Sequence, residues 1–362
     1  MSAPTPVPDV RRLEPYTVCT AGRRGLLRLD FNEHTIGPSP HVLARVSAVT
    51  GEDLALYPDE RAARAAVTRH FAFGDDVDFV LTSGADEGIR LVCDGFVQAG
   101  ERVLLLEPGY AMYRFYATLA GAELLPVTVE DDLSFPARGV RTTLAAGARL
   151  VIIGDPHNPT GAAVPEGFVE ETAGDRPETL VLVDEAYAEF AGRTALPLLA
   201  RQPNVLVART FSKAFGLAGL RIGLLAGHRD TIAWLSRMRS PYAVNSLAVI
   251  AVEAALEDPD WAESYATEVR ESRSRLRDGL GRLGVPSYPS EANFVIARFG
   301  QAAPQIRQQL QARGVLVRDR SEHPLLEGTL RIGIGTREDT ERCLEELARV
   351  LDAVGYPERT LA

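Results

Sequence analysis

The chain has 362 residues, a formal net charge of −10 at pH 7 and a hydrophobic content of 46%. This length predicts about two domains, and the ordinary globular composition excludes a disordered or fibrous protein. The acidic balance argues against a nucleic acid or an anionic membrane as partner. No apolar run reaches about 18 residues, so no membrane-spanning segment is predicted.

The three cysteines, Cys19, Cys93 and Cys343, lie far apart in the sequence. Their number and spacing fit neither a disulfide framework nor a metal site, and the six histidines show no metal-ligand spacing. The N-terminal residues lack the apolar core of a secretory signal. We therefore expect a cytoplasmic protein without a bound metal.

Short apolar runs alternate with helical patterns between about residues 75 and 227. Several of these runs are apolar throughout, as strands buried on both faces are. The alternation predicts a mainly parallel, doubly wound α/β sheet. The predicted strands are 78–83, 102–107, 123–129, 149–155, 179–185, 204–210 and 220–226.

The pattern changes after Gly227, where helical segments are followed by a mixture of short strands and helices, which indicates a smaller α+β unit. The predicted helices there are 229–239, 245–257, 260–283, 303–313 and 337–354, and the strands are 293–299, 315–317 and 329–334. We predict an N-terminal segment, 1–40, that docks on the small domain. The predicted large and small domains are 41–235 and 236–362.

Lys213 is the single lysine among the 39 basic residues, all others being arginine. A genome rich in G and C accounts for the depletion of lysine, but not for the one lysine in RTFSKAFGLAGLRIG (209–223). A lysine amine can form a Schiff base, whereas an arginine guanidinium stays protonated. Ser212 and Arg221, in the same motif, are suited to bind a phosphate.

Two further motifs also follow predicted strands. In LTSGADEG (81–88), a glycine turn opens a helix, so the backbone N–H groups of Gly84, Ala85 and Asp86 could face a phosphate. Such a turn on its own is more often only a turn. In DPHNPTG (155–161), the amide of Asn158 lies at the carboxyl end of a strand, where open α/β sheets bind ligands.

The motif VLVDEAYAEF (181–190) places Asp184 after three apolar residues, where a carboxylate is costly unless it meets a cation. A protonated pyridine nitrogen would be such a partner. The alternative is an aspartate that caps the next helix. Tyr187, three residues later, could contact a neighbouring ring oxygen.

These four motifs, in this order, resemble those of fold-type I pyridoxal-5′-phosphate (PLP) enzymes of the aspartate-like aminotransferases and, within that class, the histidinol-phosphate aminotransferase family. Family-like stretches along nearly the whole chain include LEPY, GPSP, YPD, PGYAMY, SPYAVN, PSEANF, GVLVRDR and LRIGIGT. The resemblance implies a cytoplasmic homodimer of histidine biosynthesis. It would transfer an amino group from an amino acid or amino-alcohol phosphate to a 2-oxo acid.

The resemblance also implies roles for individual residues. Lys213 would carry the cofactor and act as the catalytic base, Asp184 would pair with the pyridine nitrogen, and Tyr110 would stack on the ring. The other residues implied at the cofactor are Gly84, Ala85, Asp86, Asn158, Tyr187, Ser212 and Arg221. Tyr57 is implied to reach across the dimer interface to the cofactor phosphate of the neighbouring subunit. Those implied at the substrate are Arg331, Arg318 and Tyr16.

One departure from the family pattern lies in the segment that would cover the substrate. The family usually has Asn-Glu-Asn-Pro where this chain has Asn32-Glu33-His34-Thr35, so the identity of the substrate stays open, and the altered 32–35 loop is the best indication of specialised metabolism. Three alternatives remain: an aminotransferase or cyclase of specialised metabolism, a phosphothreonine-like decarboxylase, and a PLP-binding regulator. The regulator would need an added DNA-binding domain, for which we see no room before residue 40.

Overall fold

A computed structural model describes residues 4–13 and 20–356. The strands of these residues form one sheet of seven strands and one of four. In chain order the strands are β1 (Leu27–Leu29), β2 (Val77–Thr82), β3 (Arg102–Glu107), β4 (Glu123–Thr128), β5 (Leu150–Gly154), β6 (Leu180–Asp184), β7 (Val205–Thr210), β8 (Gly223–His228), β9 (Phe294–Arg298), β10 (Val315–Asp319) and β11 (Thr329–Gly333).

Helices follow most strands of the larger sheet and flank the smaller one. In chain order they are α1 (Pro8–Arg11), α2 (Pro40–Ser47), α3 (Gly51–Ala55), α4 (Arg61–His70), α5 (Gly84–Phe96), α6 (Ala111–Leu119), α7 (Ala137–Leu144), α8 (Phe168–Asp175), α9 (Ala188–Ala191), α10 (Arg229–Ser236), α11 (Ser246–Glu257), α12 (Pro259–Arg282), α13 (Ala303–Ala312) and α14 (Arg337–Ala353). No helix in these described ranges is both long and apolar enough to cross a membrane.

The larger sheet has the strand order β2-β8-β7-β6-β5-β3-β4. The strands from β3 to β7 run parallel to one another, and β8 runs antiparallel to both β2 and β7. Every residue of β5, β6 and β7 is buried. This burial explains their uninterrupted apolar sequences, because helices cover a parallel sheet on both faces. The predicted mainly parallel α/β fold is confirmed.

The smaller sheet has the order β1-β10-β11-β9, with β1 parallel to β10 and the other pairs antiparallel. Through β1, the residues Leu27–Leu29 pair with β10 of this sheet, and the docking of the whole segment 1–40 stays a prediction. The helix α11 packs against α2 and α4, so helices on both sides of the predicted boundary at residue 235 are in contact. The three domain boundaries stay predictions.

Each predicted strand has a counterpart within three residues at either end. The largest difference is β8, which begins at Gly223 because Arg221 adopts a left-handed conformation, with φ of 54°, that ends the preceding turn. The sequence pattern predicts no strand at 27–29, since three residues are too few to show alternation. It also predicts no helix at α2, α3 or α4.

Candidate active site

A cavity of about 740 Å³ opens at the carboxyl ends of the parallel strands, with walls from both sheets. Its volume suits a cofactor together with a small substrate. The structure brings most of the predicted site residues to its lining: Ala85, Asp86, Tyr110, Asn158, Asp184, Tyr187, Ser212, Lys213, Arg221, Arg318 and Arg331.

Two predicted residues of the described ranges do not line the cavity. Gly84 lies behind the Arg221 guanidinium, and a Cβ atom there would come within 2.6 Å of Arg221 Nη2. Tyr57 is 72% exposed and stacks on Tyr242 with ring centroids 3.8 Å apart, outside the lining of its own chain's cavity. Tyr16 lies outside the described residues.

The Lys213 side chain reaches the cavity from the turn that follows β7. Its Nζ donates a hydrogen bond to the carbonyl oxygen of Phe31 at 2.9 Å and lies 5.9 Å from the centre of the Tyr187 ring. Burial and the nearby Arg331 guanidinium lower the pKa of Lys213 to about 8. A much larger fraction of this amine is therefore neutral near pH 7 than of an exposed lysine, as a nucleophile or base requires.

Asp184 ends β6, and its carboxylate is buried. It accepts hydrogen bonds from the Tyr113 hydroxyl at 2.6 Å and from the backbone N–H of Ala186 at 3.1 Å. No arginine, lysine or histidine of the described residues forms an ion pair with it, and burial raises its pKa to about 6. A cationic group in the cavity would supply the missing partner.

Tyr113 is a site residue that the sequence analysis did not identify. It lies on α6, three residues after Tyr110, so both tyrosines project from one side of the helix toward the cavity. The hydrogen bond from its hydroxyl fixes the Asp184 carboxylate and stabilises the ionised form. The repeated tyrosine in PGYAMY was the available sequence pattern, but nothing in it points to Asp184.

The start of α5 and the Arg221 guanidinium form one corner of the cavity. The first-turn N–H groups of this helix, at Ala85 and Asp86, have no partner within the helix and suit an anion. The Asp86 carboxylate accepts hydrogen bonds from Arg221 Nη2 at 3.1 Å and from the Tyr110 hydroxyl at 2.9 Å. These contacts hold Arg221 and Tyr110 at the corner, beside Ser212.

A chain of hydrogen bonds links the two sheets across the cavity floor. Arg331 Nη1 donates to Asn158 Oδ1 at 2.9 Å, and Asn158 Nδ2 donates to the Tyr187 hydroxyl oxygen at 3.4 Å. Arg331 Nη2 donates to the carbonyl oxygen of Asp30 at 2.8 Å. Arg331 therefore contacts both the 155–161 loop and the segment that follows β1.

The wall from the smaller sheet is rich in arginine. Arg318 and Arg331 lie directly opposite each other in the antiparallel pairing of β10 and β11, so their side chains share one face of the sheet. Arg320 also lines this wall and forms an ion pair with Glu322 at 2.9 Å. This wall suits an anionic group on a ligand, separate from the corner at α5.

The altered segment 32–35 divides between two environments. Asn32 and Glu33 line the cavity, whereas His34 and Thr35 do not. His34 is buried and stacks on Tyr265 with centroids 3.4 Å apart, and burial lowers its pKa to about 4. The His34 side chain therefore packs against α12 and does not line the cavity, and the effect of the departure at His34 and Thr35 on specificity stays a prediction.

These residues fit PLP. The cofactor has an aldehyde for the Lys213 amine, a pyridine nitrogen that can meet the unpaired Asp184 carboxylate, and a phosphate for the α5 corner. The close packing of Arg221 on Gly84 leaves no room for a side chain there, as expected where backbone N–H groups approach a phosphate. Tyr110 supplies an aromatic face at the same corner. A lysine, a buried carboxylate and an anion corner in one cavity define a PLP-dependent enzyme.

Comparison with known proteins gives the family. The sequence matches aminotransferase class I and II over residues 24–347, and the chain belongs to this family. It is 37% identical over 364 residues to the histidinol-phosphate aminotransferase of Roseiflexus castenholzii, covering 95% of this chain and 97% of that protein. It is also 37% identical over 356 residues to the histidinol-phosphate aminotransferase of Symbiobacterium thermophilum, with coverage of 94% and 97%.

Comparison with solved structures agrees with the family found from the sequence. The crystal structure of histidinol-phosphate aminotransferase from Sinorhizobium meliloti in complex with pyridoxal-5′-phosphate matches with a TM-score of 0.86 and 27% identity, covering 98% of this chain and 99% of that one. The chain is therefore a PLP-dependent aminotransferase, and this prediction from the four motifs is confirmed. The roles of individual residues stay predictions.

We expect the reaction of the cofactor-free protein with PLP to accelerate about tenfold per pH unit up to about pH 8 and then to level off. Raising the pH deprotonates Lys213, and only the neutral amine attacks an aldehyde. Stopped-flow absorbance would measure the rate. Arg331→Gln removes a neighbouring positive charge, so the midpoint of the variant's rate–pH curve should move to higher pH. A wild-type midpoint near the ordinary lysine value of 10.5 would contradict the structure.

We expect Asp184→Asn to stabilise the cofactor-free protein while lowering transamination by about 100-fold or more. The folded-state pKa of about 6 exceeds the ordinary 3.8, so above pH 6 the ionised carboxylate costs about 2–3 kcal/mol of unfolding free energy. The increase in unfolding free energy of Asp184→Asn over wild type should be measurable by urea unfolding at pH 8 and absent near pH 4.

A matched control for Asp184 is Asp155→Asn, which removes a carboxylate that already has a cationic partner in Arg193. This variant should show no gain in unfolding free energy at pH 8. Equal stabilisation of both variants would mean that the missing cation at Asp184 is not the cause.

Proposed function

We propose that the chain transfers the amino group of histidinol phosphate to a 2-oxo acid such as 2-oxoglutarate, as a step of histidine biosynthesis. The observation that carries this proposal is the presence of two separate anion sites in one cavity. The corner at α5 and Arg221 suits the cofactor phosphate, and Arg318 with Arg331 suits an anion on the substrate. A phosphorylated amino alcohol and a 2-oxo acid each bring such an anion.

PLP, when bound, supplies an electron sink for the electrons of the broken Cα–H bond. In our proposal, Lys213 would hold the cofactor through Nζ and, as a free amine, would accept the Cα proton of the substrate at the same nitrogen. Asp184 would keep the pyridine nitrogen protonated. Asn158 and Tyr187 would bind the 3′-oxygen, and Tyr110 would contact the ring face.

The relatives that match over nearly the whole chain are named aminotransferases, which favours transamination over a decarboxylase, a cyclase or a regulator. The departure at His34 and Thr35 was the sequence feature in favour of specialised metabolism. His34 packs against Tyr265 and does not line the cavity, which favours the common family substrate over a different one.

The amino donor can be identified with the purified PLP-loaded protein and no acceptor. Histidinol phosphate should convert the visible absorbance to that of pyridoxamine phosphate, and 2-oxoglutarate should restore it. Histidinol without the phosphate should react far more slowly, and Lys213→Ala should show no conversion. Conversion by a plain amino acid but not by histidinol phosphate would refute the proposed donor.

We expect Arg331→Lys to lower kcat/KM by roughly 10- to 100-fold in both half-reactions, because lysine cannot form two parallel hydrogen bonds to a carboxylate or phosphate. A matched control is Arg298→Lys. Arg298 is an arginine of the same small sheet that bonds Tyr288 and backbone carbonyls outside the cavity. Its kcat/KM should stay near wild type. Equal kcat/KM for both variants would place the anion site elsewhere.

We infer that the protein is a homodimer. Exposed apolar side chains lie around α3 and at the end of α10 with the segment that follows it, and the stack of Tyr57 on Tyr242 joins the two groups. An exposed apolar surface of this kind is typical of a protein interface. The other exposed members are Leu54, Leu56, Trp234 and Met238.

We expect Tyr57→Phe to weaken PLP binding by about 1 kcal/mol or more, because the hydroxyl would reach the cofactor phosphate of the partner subunit. Tyr288→Phe, which loses a hydroxyl bonded to Arg298 outside the cavity, should leave the Kd for PLP unchanged. Fluorescence titration gives the Kd. A fully active monomer in analytical ultracentrifugation at assay concentration would contradict both the dimer and the shared site.

We also propose a cytoplasmic location. Among the described residues, Cys93 and Cys343 are free and buried, as thiols of a reducing compartment are. Their accessibility to a thiol reagent only after unfolding would agree with this arrangement.

A further inference from the structure

Arg193 joins three segments of the chain that meet beside the cavity, although it does not line the cavity itself. It follows α9, in the connection from β6 to β7. Its guanidinium donates two hydrogen bonds to the Asp155 carboxylate, from Nε at 3.2 Å and from Nη2 at 2.5 Å. Its Nη1 donates to the Glu291 carboxylate of the small domain at 2.6 Å. The sequence analysis assigned no role to these three residues.

The Asp155 carboxylate closes the loop that carries Asn158. Its Oδ1 also accepts a hydrogen bond from the backbone N–H of Val164, at the far end of the loop, at 3.1 Å. Two parallel hydrogen bonds are the geometry in which a guanidinium holds a carboxylate most firmly. The Asp155 side chain is only 16% exposed, so this ion pair is better shielded from water than a surface pair. Arg193 therefore holds the closed form of the loop.

The small domain contacts the same loop beside Arg193. The backbone N–H of Glu291 donates a hydrogen bond to the carbonyl oxygen of Gly161 at 2.8 Å. A Cβ atom at Gly161 would overlap Ser290 Oγ, so the two segments lie too close for any side chain there. Together with the bond from Arg193 to Glu291, these contacts hold the loop from the large and the small domain at once.

The position of Asn158 depends on this loop. Asn158 lies three residues after Asp155 and three before Gly161, between the two points at which the loop is attached. Its Oδ1 accepts a hydrogen bond from Arg331 Nη1 at 2.9 Å, so its amide is already oriented across the cavity floor. Hydrogen bonds weaken steeply outside their usual distance, and a small displacement of the loop would therefore cost Asn158 a bond to a ligand.

We propose that Arg193 is a positioning residue for the cofactor and acts through Asp155 and Asn158. This inference rests on the proposed role of Asn158 at the 3′-oxygen of the cofactor. By holding the loop against both domains, Arg193 keeps Asn158 Nδ2 within hydrogen-bond distance of that oxygen. An N–H donor there stabilises negative charge on the oxygen, so the proton on the nitrogen that links the cofactor to Lys213 is held less tightly.

The test uses Arg193→Gln, which removes the charge and the paired donors. The PLP-loaded variant is titrated from pH 5 to 10 by its visible absorbance, and loss of one hydrogen bond should raise the midpoint by about 0.7 pH unit. The Kd of the cofactor-free variant for PLP should rise about fivefold. Asn158→Ala should raise the midpoint at least as much, and adding Arg193→Gln to Asn158→Ala should raise it no further. A direct effect of the Arg193 charge on the cofactor would instead persist in the double variant.

A second variant covers the case in which Arg193→Gln does not fold. Arg193→Lys keeps the positive charge but cannot bond both carboxylates in the same way, so its midpoint should also rise, by less than that of Arg193→Gln. The control for lost stability is Asn204→Ala. The Asn204 amide bonds three backbone carbonyls at the opposite end of β7, so the variant should unfold more easily with an unchanged midpoint.

The outcomes distinguish this inference from the proposed function. An unchanged midpoint in the Arg193 variants, or a rise of the same size on top of Asn158→Ala, would overturn the role of Arg193 while leaving the proposed function intact. An equal rise in Asn204→Ala would also overturn it, because lost stability alone would then move the midpoint. Absence of any visible band attached to Lys213 in the wild-type protein would overturn the proposed function and this inference together.

Discussion

The cavity depends on the in-register parallel pairing of β5, β6 and β7. This pairing places Gly154, Asp184 and Ala208 side by side in adjacent strands. The three loops that follow therefore leave the sheet at one edge and carry Asn158, Tyr187 and Lys213 into the same space. A slip of one residue in β6 would turn the Asp184 side chain to the opposite face of the sheet.

The electrostatics of this space explain why it suits a charged cofactor. Asp184 is a buried carboxylate without a cationic partner among the described residues, and its pKa is raised. Lys213 lies next to Arg331, and its pKa is lowered. In both groups burial destabilises the charged form, and a ligand with complementary charges would offset that cost. Functional sites commonly hold such unfavourable charges at some cost in stability.

The small sheet lines the cavity and also bonds directly to the loops of the large sheet. Arg331 contacts Asn158 and the carbonyl of Asp30, and Asn293 contacts the carbonyl of Asn32. Arg193 adds a second connection by bridging Asp155, beside the loop of Asn158, to Glu291. An anion bound at Arg331 would therefore act directly on Asn158, one of the residues that we propose orient the cofactor.

The sequence alone was sufficient to predict the fold class and to predict that the residues following strands in recognisable motifs lie together. The positions of Lys213, Asp184 and Asn158 after buried strands were predictable, because a strand and the loop that follows it are adjacent in sequence and the strand shows as a short apolar run. The tertiary structure was needed for Tyr113 on Asp184, for Asn32 on Tyr187 and for the position of His34 behind the cavity. These contacts join residues 71, 155 and 231 positions apart. Which side chains meet over such separations is decided by sheet register and by the path of the segment after β1, and neither leaves a local pattern in the chain.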